Sequence, residues 1–184
     1  MKKAIFGFIY YKVLGWKAEV SVPDLDKYII CAAPHTSNWD LFIGKLFYGA
    51  IGRDTGFMMK KDWFFWPLGP FFRWMGGIPV DRKRGSNVAL SVIKEMKAKK
   101  VVHLALAPEG TRKPVKRWKT GFHTIAREVG CPVYMGYFDW STKRISRGQK
   151  VELTDDARAD MARIQAMYEE MHLVGKHPEM YITH

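Results

Sequence analysis

The stretch Val101-Val102-His103-Leu104-Ala105-Leu106-Ala107-Pro108-Glu109-Gly110-Thr111-Arg112 decides the fold. Residues 101–107 form an apolar run of the length expected for a buried strand. Pro108 ends it, Gly110 permits an unusual turn, and Glu109 and Arg112 are delivered together to one rim. Outward from this unit the same grammar repeats. Residues 28–33 form an apolar run ended by Pro34, and further strands are expected over 57–59, 78–80 and 132–138. Between them, helical spacing covers 41–51, 87–97 and 120–129. A helix-length aromatic stretch at 63–75 is broken by Pro67 and Pro70. Residues 141–150 read as a charged connection or a hairpin, leading into a strand at 151–153. The chain then enters a helix over 155–171, with Asp155 and Asp156 at its positive end. Strands alternating with helices predict a single α/β domain over residues 21–184, with a central, mostly parallel sheet flanked by helices.

Composition narrows the partners. With 184 residues, 47% hydrophobic and 26% charged, the chain is long enough for one sizeable core and unlike a disordered chain. A formal net charge of +12 calls for anionic partners. An aromatic content of 14%, including 7 Trp, favours a membrane interface among them. The two cysteines, Cys31 and Cys131, form no metal-ligand or CxxC pattern and fit a reducing compartment. Residues 1–20 form a separate N-terminal segment. Its apolar run is interrupted by Lys12 and Lys17 and is shorter than the ~18 residues of a spanning helix, so residues 4–16 read as a short amphipathic, interfacial helix.

Two further polar islands accompany the first. In Pro34-His35-Thr36-Ser37-Asn38-Trp39-Asp40 a histidine and an aspartate fall where a strand gives way to a helix, at the edge where α/β sites form. Imidazole titrates in the range a general base needs, and a carboxylate beside it fixes its tautomer. Ser37-x-x-Asp40 also fits a capping box, in which Asp40 only satisfies a backbone donor. In Gly77-Ile78-Pro79-Val80-Asp81-Arg82, the glycines at 76 and 77 let backbone approach a ligand, and Arg82 offers a planar fork for phosphate. In the third island Glu109 can accept from a polyol and Arg112 can hold a phosphate. An exposed Glu–Arg turn pair would otherwise be worth little.

In this order the islands resemble the glycerolipid acyltransferases, most closely the lysophosphatidic acid acyltransferases. The family's His-x4-Asp motif maps onto His35 and Asp40, its second motif onto Gly76, Ile78 and Arg82, and its Pro-Glu-Gly-Thr-Arg onto Pro108 to Arg112. Lys61, ahead of the Pro-broken aromatic stretch, and Lys119 with Gly121 match as well. A fourth motif usually carries two prolines; here Pro132 is present, and Met135 or Gly136 occupies the second position. The resemblance implies a glycerol-3-phosphate acyltransferase-like fold. It also implies transfer of a fatty acyl group from acyl-CoA or acyl-carrier protein, as co-substrate, to the hydroxyl of a lysophospholipid. The implied acceptor is 1-acyl-glycerol-3-phosphate, giving phosphatidic acid.

By the same resemblance His35 is the general base and Asp40 its orienting partner, while Lys61, Arg82, Glu109, Gly110, Thr111 and Arg112 bind substrate. No cofactor or metal is expected, because the histidines lack ligand spacing. The implied location is cytoplasmic, peripheral on the inner face of the membrane. The competing readings are acylation of another lyso-lipid or an amine-bearing lipid, and a catalytically silent module that binds anionic lipid. Nucleic-acid binding fits the charge alone and explains none of the three islands.

Overall fold

The protein is described by a computed structural model over residues 2–81 and 87–181. Helix α1 (Lys2–Gly7) runs into a π-helical turn, Phe8–Val13, and then strand β1 (Lys17–Val20). After it come β2 (Lys27–Ala33), α2 (Trp39–Ala50), β3 (Gly56–Lys60), α3 (Leu68–Trp74) and β4 (Gly77–Val80). The second half holds α4 (Asn87–Ala98), β5 (Val102–Leu106), α5 (Gly121–Val129), β6 (Val133–Asp139), β7 (Arg144–Val151) and α6 (Ala157–Glu170). The strands form one seven-stranded sheet in the order β1-β7-β6-β2-β5-β3-β4. Every neighbouring pair is parallel except the β6–β7 hairpin. The expected α/β architecture with a mostly parallel, helix-flanked sheet is therefore the one found.

Strand β2 shows why its sequence is apolar throughout. Alternate residues of a strand face opposite sides. Ile29, Cys31 and Ala33 join a core with Val92 and Met96 of α4, Phe122 and Ile125 of α5, and Ile164 and Tyr168 of α6. Tyr28 and Ile30 join the opposite core, with Tyr10, Trp16, Ile43, Phe47 and Tyr48. A strand covered on both faces needs apolar residues at every position.

Three local expectations change. Of the two readings of residues 141–150 the hairpin holds, and its second arm is longer than expected: these residues carry most of β7, which lies inside the sheet between β1 and β6. Its charge is accommodated because Arg147, only 3% exposed, donates to Asp24 Oδ1 at 3.1 Å and to the Tyr28 hydroxyl at 2.5 Å. Strand β1 was not anticipated; its four residues are exposed or half-buried and alternate poorly. In the aromatic stretch, helix α3 starts only after Pro67 and keeps Pro70 within its first turn, where a missing N–H costs no helical bond.

The N-terminal segment packs on one side and is open on the other. A Cβ at Gly49 of α2 would lie 2.1 Å from the Phe6 ring, so this glycine admits α1. Tyr10 and Trp16 are buried, while Ile5, Phe8, Tyr11 and Val13 are exposed. Among the described residues no helix is long and apolar enough to cross a membrane.

Candidate active site

The carboxyl ends of β2, β5, β3 and β4 share one edge of the sheet because these strands are parallel neighbours. The loop from β2 to α2 places His35 and Asp40 there. His35 Nδ1 lies 3.0 Å from Asp40 Oδ2. The same oxygen accepts from the backbone of Thr36 at 3.0 Å and of Ser37 at 2.9 Å. The Ser37 contact is the bond a capping box supplies, so the two competing readings of Asp40 are met by one atom. Ser37 completes the turn by accepting from the Trp39 backbone at 3.2 Å.

Asp40 is 1% exposed, and its other oxygen, Oδ1, accepts from the Trp140 indole Nε1 at 2.8 Å. An ionised carboxylate only accepts, so His35 Nδ1 carries the proton in this contact. In the neutral ring Nε2 then holds the lone pair. The His35 side chain is 29% exposed, which leaves that nitrogen reachable.

Glu109 is placed differently from the expectation that it meets substrate at the rim. It is 6% exposed, and Oε1 accepts from the His35 backbone at 2.8 Å. Its Oε2 is buried without a hydrogen-bond partner among the described residues. Burial pushes this carboxyl up to about 7, against the lowering effect of the His35 amide and ring. The reason lies in the turn. Pro108 is buried, Glu109 stays inside, and only after Gly110, at φ +67°, does the chain come out to Thr111 and the exposed Arg112. At Gly110 a Cβ would sit 2.7 Å from the Lys119 side chain, so Lys119 lies across the turn.

Arg112 donates through Nη1 to Asn38 Oδ1, which ties the third island to the first. Thr111 Oγ1 accepts from the Lys113 backbone at 3.2 Å. The structure thus brings His35, Asp40, Glu109, Gly110, Thr111 and Arg112 to one locality. Lys61 follows β3 at the same sheet edge, in a cleft of about 430 Å³ lined also by Lys60, Phe64, Phe65 and Asp81. Among the described residues no hydrogen bond or ion pair joins it to the dyad. Arg82 lies outside the described residues. Also among them, no group of three or more His, Cys, Asp and Glu is placed to hold a metal ion.

Several contributors were not anticipated. Asn38 stood within the first island as an exposed polar residue at the helix start, making no cap bond of its own. Trp140, 100 residues from its carboxylate, gave no signal in the sequence. Nor did the segment after α6: His177 donates its backbone N–H to Thr36 Oγ1 at 3.2 Å, and Val174 accepts from the Trp140 backbone at 2.8 Å.

A buried carboxylate holding an imidazole whose second nitrogen stays open, with an arginine fork beside it, is an arrangement chemically able to activate a hydroxyl near an anionic group. A sequence model of the acyltransferase family matches residues 18–135, and the chain belongs to that family. It is therefore an acyltransferase by family. Among solved structures its fold is similar to that of the 1-acyl-sn-glycerophosphate (LPA) acyltransferase PlsC from Thermotoga maritima. That match has a TM-score of 0.64 and 18% identity, covering 95% of this chain and 80% of the other. A search of curated proteins gives no significant match.

Proposed function

We propose that this protein transfers a fatty acyl group from an acyl thioester, acyl-CoA or acyl-carrier protein, to the hydroxyl of a phosphorylated lyso-lipid. The acceptor is 1-acyl-glycerol-3-phosphate and the product phosphatidic acid. The observation that carries this reading is the Nδ1–Oδ2 contact of His35 and Asp40, which leaves Nε2 open on the rim that Arg112 occupies.

In the reaction His35 Nε2 takes the proton from the acceptor hydroxyl as the oxygen attacks the thioester carbonyl carbon. The tetrahedral intermediate collapses with cleavage of the C–S bond, and the sulfur leaves as a thiol with the proton that His35 held. No acyl-enzyme forms, because the acceptor is itself the nucleophile. Asp40 keeps the ring in the productive tautomer and stabilises the imidazolium that forms. Arg112, with Arg82 and Lys61, binds the acceptor phosphate. Gly110 and Thr111 shape the turn that presents Arg112. Glu109 fixes the backbone of His35 rather than touching glycerol. The reaction needs no cofactor beyond its thioester co-substrate.

The lipid partner implies a surface that meets the bilayer peripherally from the cytoplasmic side. Trp63, Phe65, Trp66, Phe71 and Trp74 are all exposed, Trp66 at 84%. They stand beside Lys60, Lys61 and Arg73, a combination of aromatic rings and cations suited to an anionic interface.

The test is thiol release from a panel of acyl-CoAs and acyl-carrier protein, with and without lysophosphatidic acid. Release that depends on the acceptor and is lost in His35→Ala is expected. Normal turnover in His35→Ala would sink the mechanism. Acceptor-independent silence alongside tight binding of anionic vesicles would replace it with a lipid-binding module.

A further inference from the structure

We propose that Trp140 is a positioning residue for the His35–Asp40 dyad, held in place by the segment from Val174 to His177 that straps the catalytic loop. The proposal rests on the acyl-transfer reading of the dyad but concerns a residue outside the motifs that suggested it.

The asymmetry of the Asp40 carboxylate carries the argument. Its Oδ2 takes the His35 ring and the Thr36 and Ser37 amides, all from the loop that Asp40 itself closes. These donors fix one oxygen and leave the orientation of the other to a partner elsewhere in the fold. Oδ1 instead accepts from outside the loop: from the Trp140 indole at 2.8 Å, just beyond the carboxyl end of β6. Removing that donor orphans a carboxylate oxygen on a residue 1% exposed, which a buried charge tolerates poorly. The carboxylate then turns to find another donor, and the plane that Oδ2 offers to His35 Nδ1 turns with it.

Trp140 is fixed from several sides, as a reference point must be. Its backbone N–H is bonded to Val174 at 2.8 Å. Its ring meets Trp16 edge to face, with centroids 4.9 Å apart at 90°. The Lys176 ammonium stands 4.6 Å from the Trp140 ring centroid and 4.9 Å from that of Trp39. A cation on the ring face draws electron density from the indole and favours donation by its N–H. The strap is seated on the same loop. His177 N–H reaches Thr36 Oγ1 at 3.2 Å, and a Cβ at Gly175 would stand 2.7 Å from that oxygen, so the glycine permits the approach.

Trp140→Phe removes the N–H and keeps most of the ring. We expect kcat to fall about tenfold or more, the loss of one hydrogen bond to a charged acceptor, with KM for lysophosphatidic acid within about twofold of wild type. A merely structural tryptophan would lower melting temperature without that split. Two NMR readouts on the unliganded protein stand apart from turnover. The His35 imidazole titration should shift in Trp140→Phe, and the Trp140 indole N–H resonance should move in Asp40→Asn. That second readout does not require the tryptophan variant to fold. An unmoved indole resonance, or wild-type kcat with an unchanged His35 titration in a folded Trp140→Phe, overturns the proposal. A wild type that acylates no acceptor overturns the acyl-transfer reading instead, while the two NMR shifts still decide the positioning.

Discussion

Among the described residues two histidine–aspartate pairs occur, and they differ in what surrounds them. At the carboxyl edge His35 Nδ1 meets Asp40 Oδ2 at 3.0 Å; between α5 and α6 His123 Nε2 meets Asp160 Oδ2 at 3.3 Å. Both aspartates are 1% exposed. His123 is itself only 6% exposed at its side chain, and its Nε2 also faces the Thr154 carbonyl at 3.0 Å. Asp160 is occupied by the Thr154 amide at 2.7 Å, the Thr154 hydroxyl at 3.2 Å and Arg163 at 2.8 Å. That pair locks the turn from β7 into α6, whose N-cap Asp156 accepts from Arg158 and Ala159. His35 instead spends one nitrogen on its carboxylate and keeps the other near solvent. A histidine–carboxylate contact becomes chemistry only where a reachable lone pair is left over.

The largest effect should separate the two pairs. His35→Ala should lower kcat by about a thousandfold or more, within the range a general base supplies, with acceptor binding and melting temperature near wild type. In contrast, His123→Ala should leave turnover per folded molecule unchanged and lower stability by about 3 kcal/mol, because Asp160 loses a buried partner. Urea denaturation and steady-state assays on the same preparations check both.

The pairs should also differ in acid. Burial opposes the charge of Asp160, yet Arg163 and the Thr154 donors outweigh it and hold the carboxyl below its usual value of 3.8. The stability this contributes is complete above the unfolded value and is lost as pH falls through the folded one. Asp160→Asn should therefore flatten the acid limb of a stability–pH curve below about pH 4.

Glu109, behind the first pair, has the opposite sign. Raised from 4.5 to about 7, it keeps its proton in the native state where an unfolded chain would release it. Stability should thus fall as pH rises between those values, by at most about 3 kcal/mol at about 1.4 kcal/mol per unit. Glu109→Gln keeps the acceptor for the His35 amide and should abolish that slope in denaturation at the two ends of the window. The smallest effect belongs to the rim. Arg112→Ala should raise KM for lysophosphatidic acid about tenfold with little change in kcat, the mark of a group that binds ground and transition states alike.

The inner strands were legible because strands covered on both faces must be apolar throughout. Strand β1, which escaped, and β7, legible only as a hairpin alternative with a shorter strand, lack that constraint. One is a short, partly exposed edge, and the other hides Ser146 and Arg147 by pairing the arginine with Asp24 and Tyr28 from elsewhere in the chain. The dyad was visible because both members lie on one turn. The side of the strand end on which Glu109 falls depends on backbone angles at Gly110, which residue types do not encode. The indole on Asp40 and the strap over Thr36 are contacts across 100 and 141 residues, beyond any local pattern.

That last separation bears on how the protein is made. The loop carrying His35 and Asp40 is made well before residues 177 and 174, which supply the donor to Thr36 and the acceptor for the Trp140 backbone. A nascent chain stalled before that point has His35, Asp40 and the turn carrying Arg112 already synthesised. It still lacks the piece that clamps them. The loop therefore cannot be completed until a further 141 residues beyond Thr36 have been made.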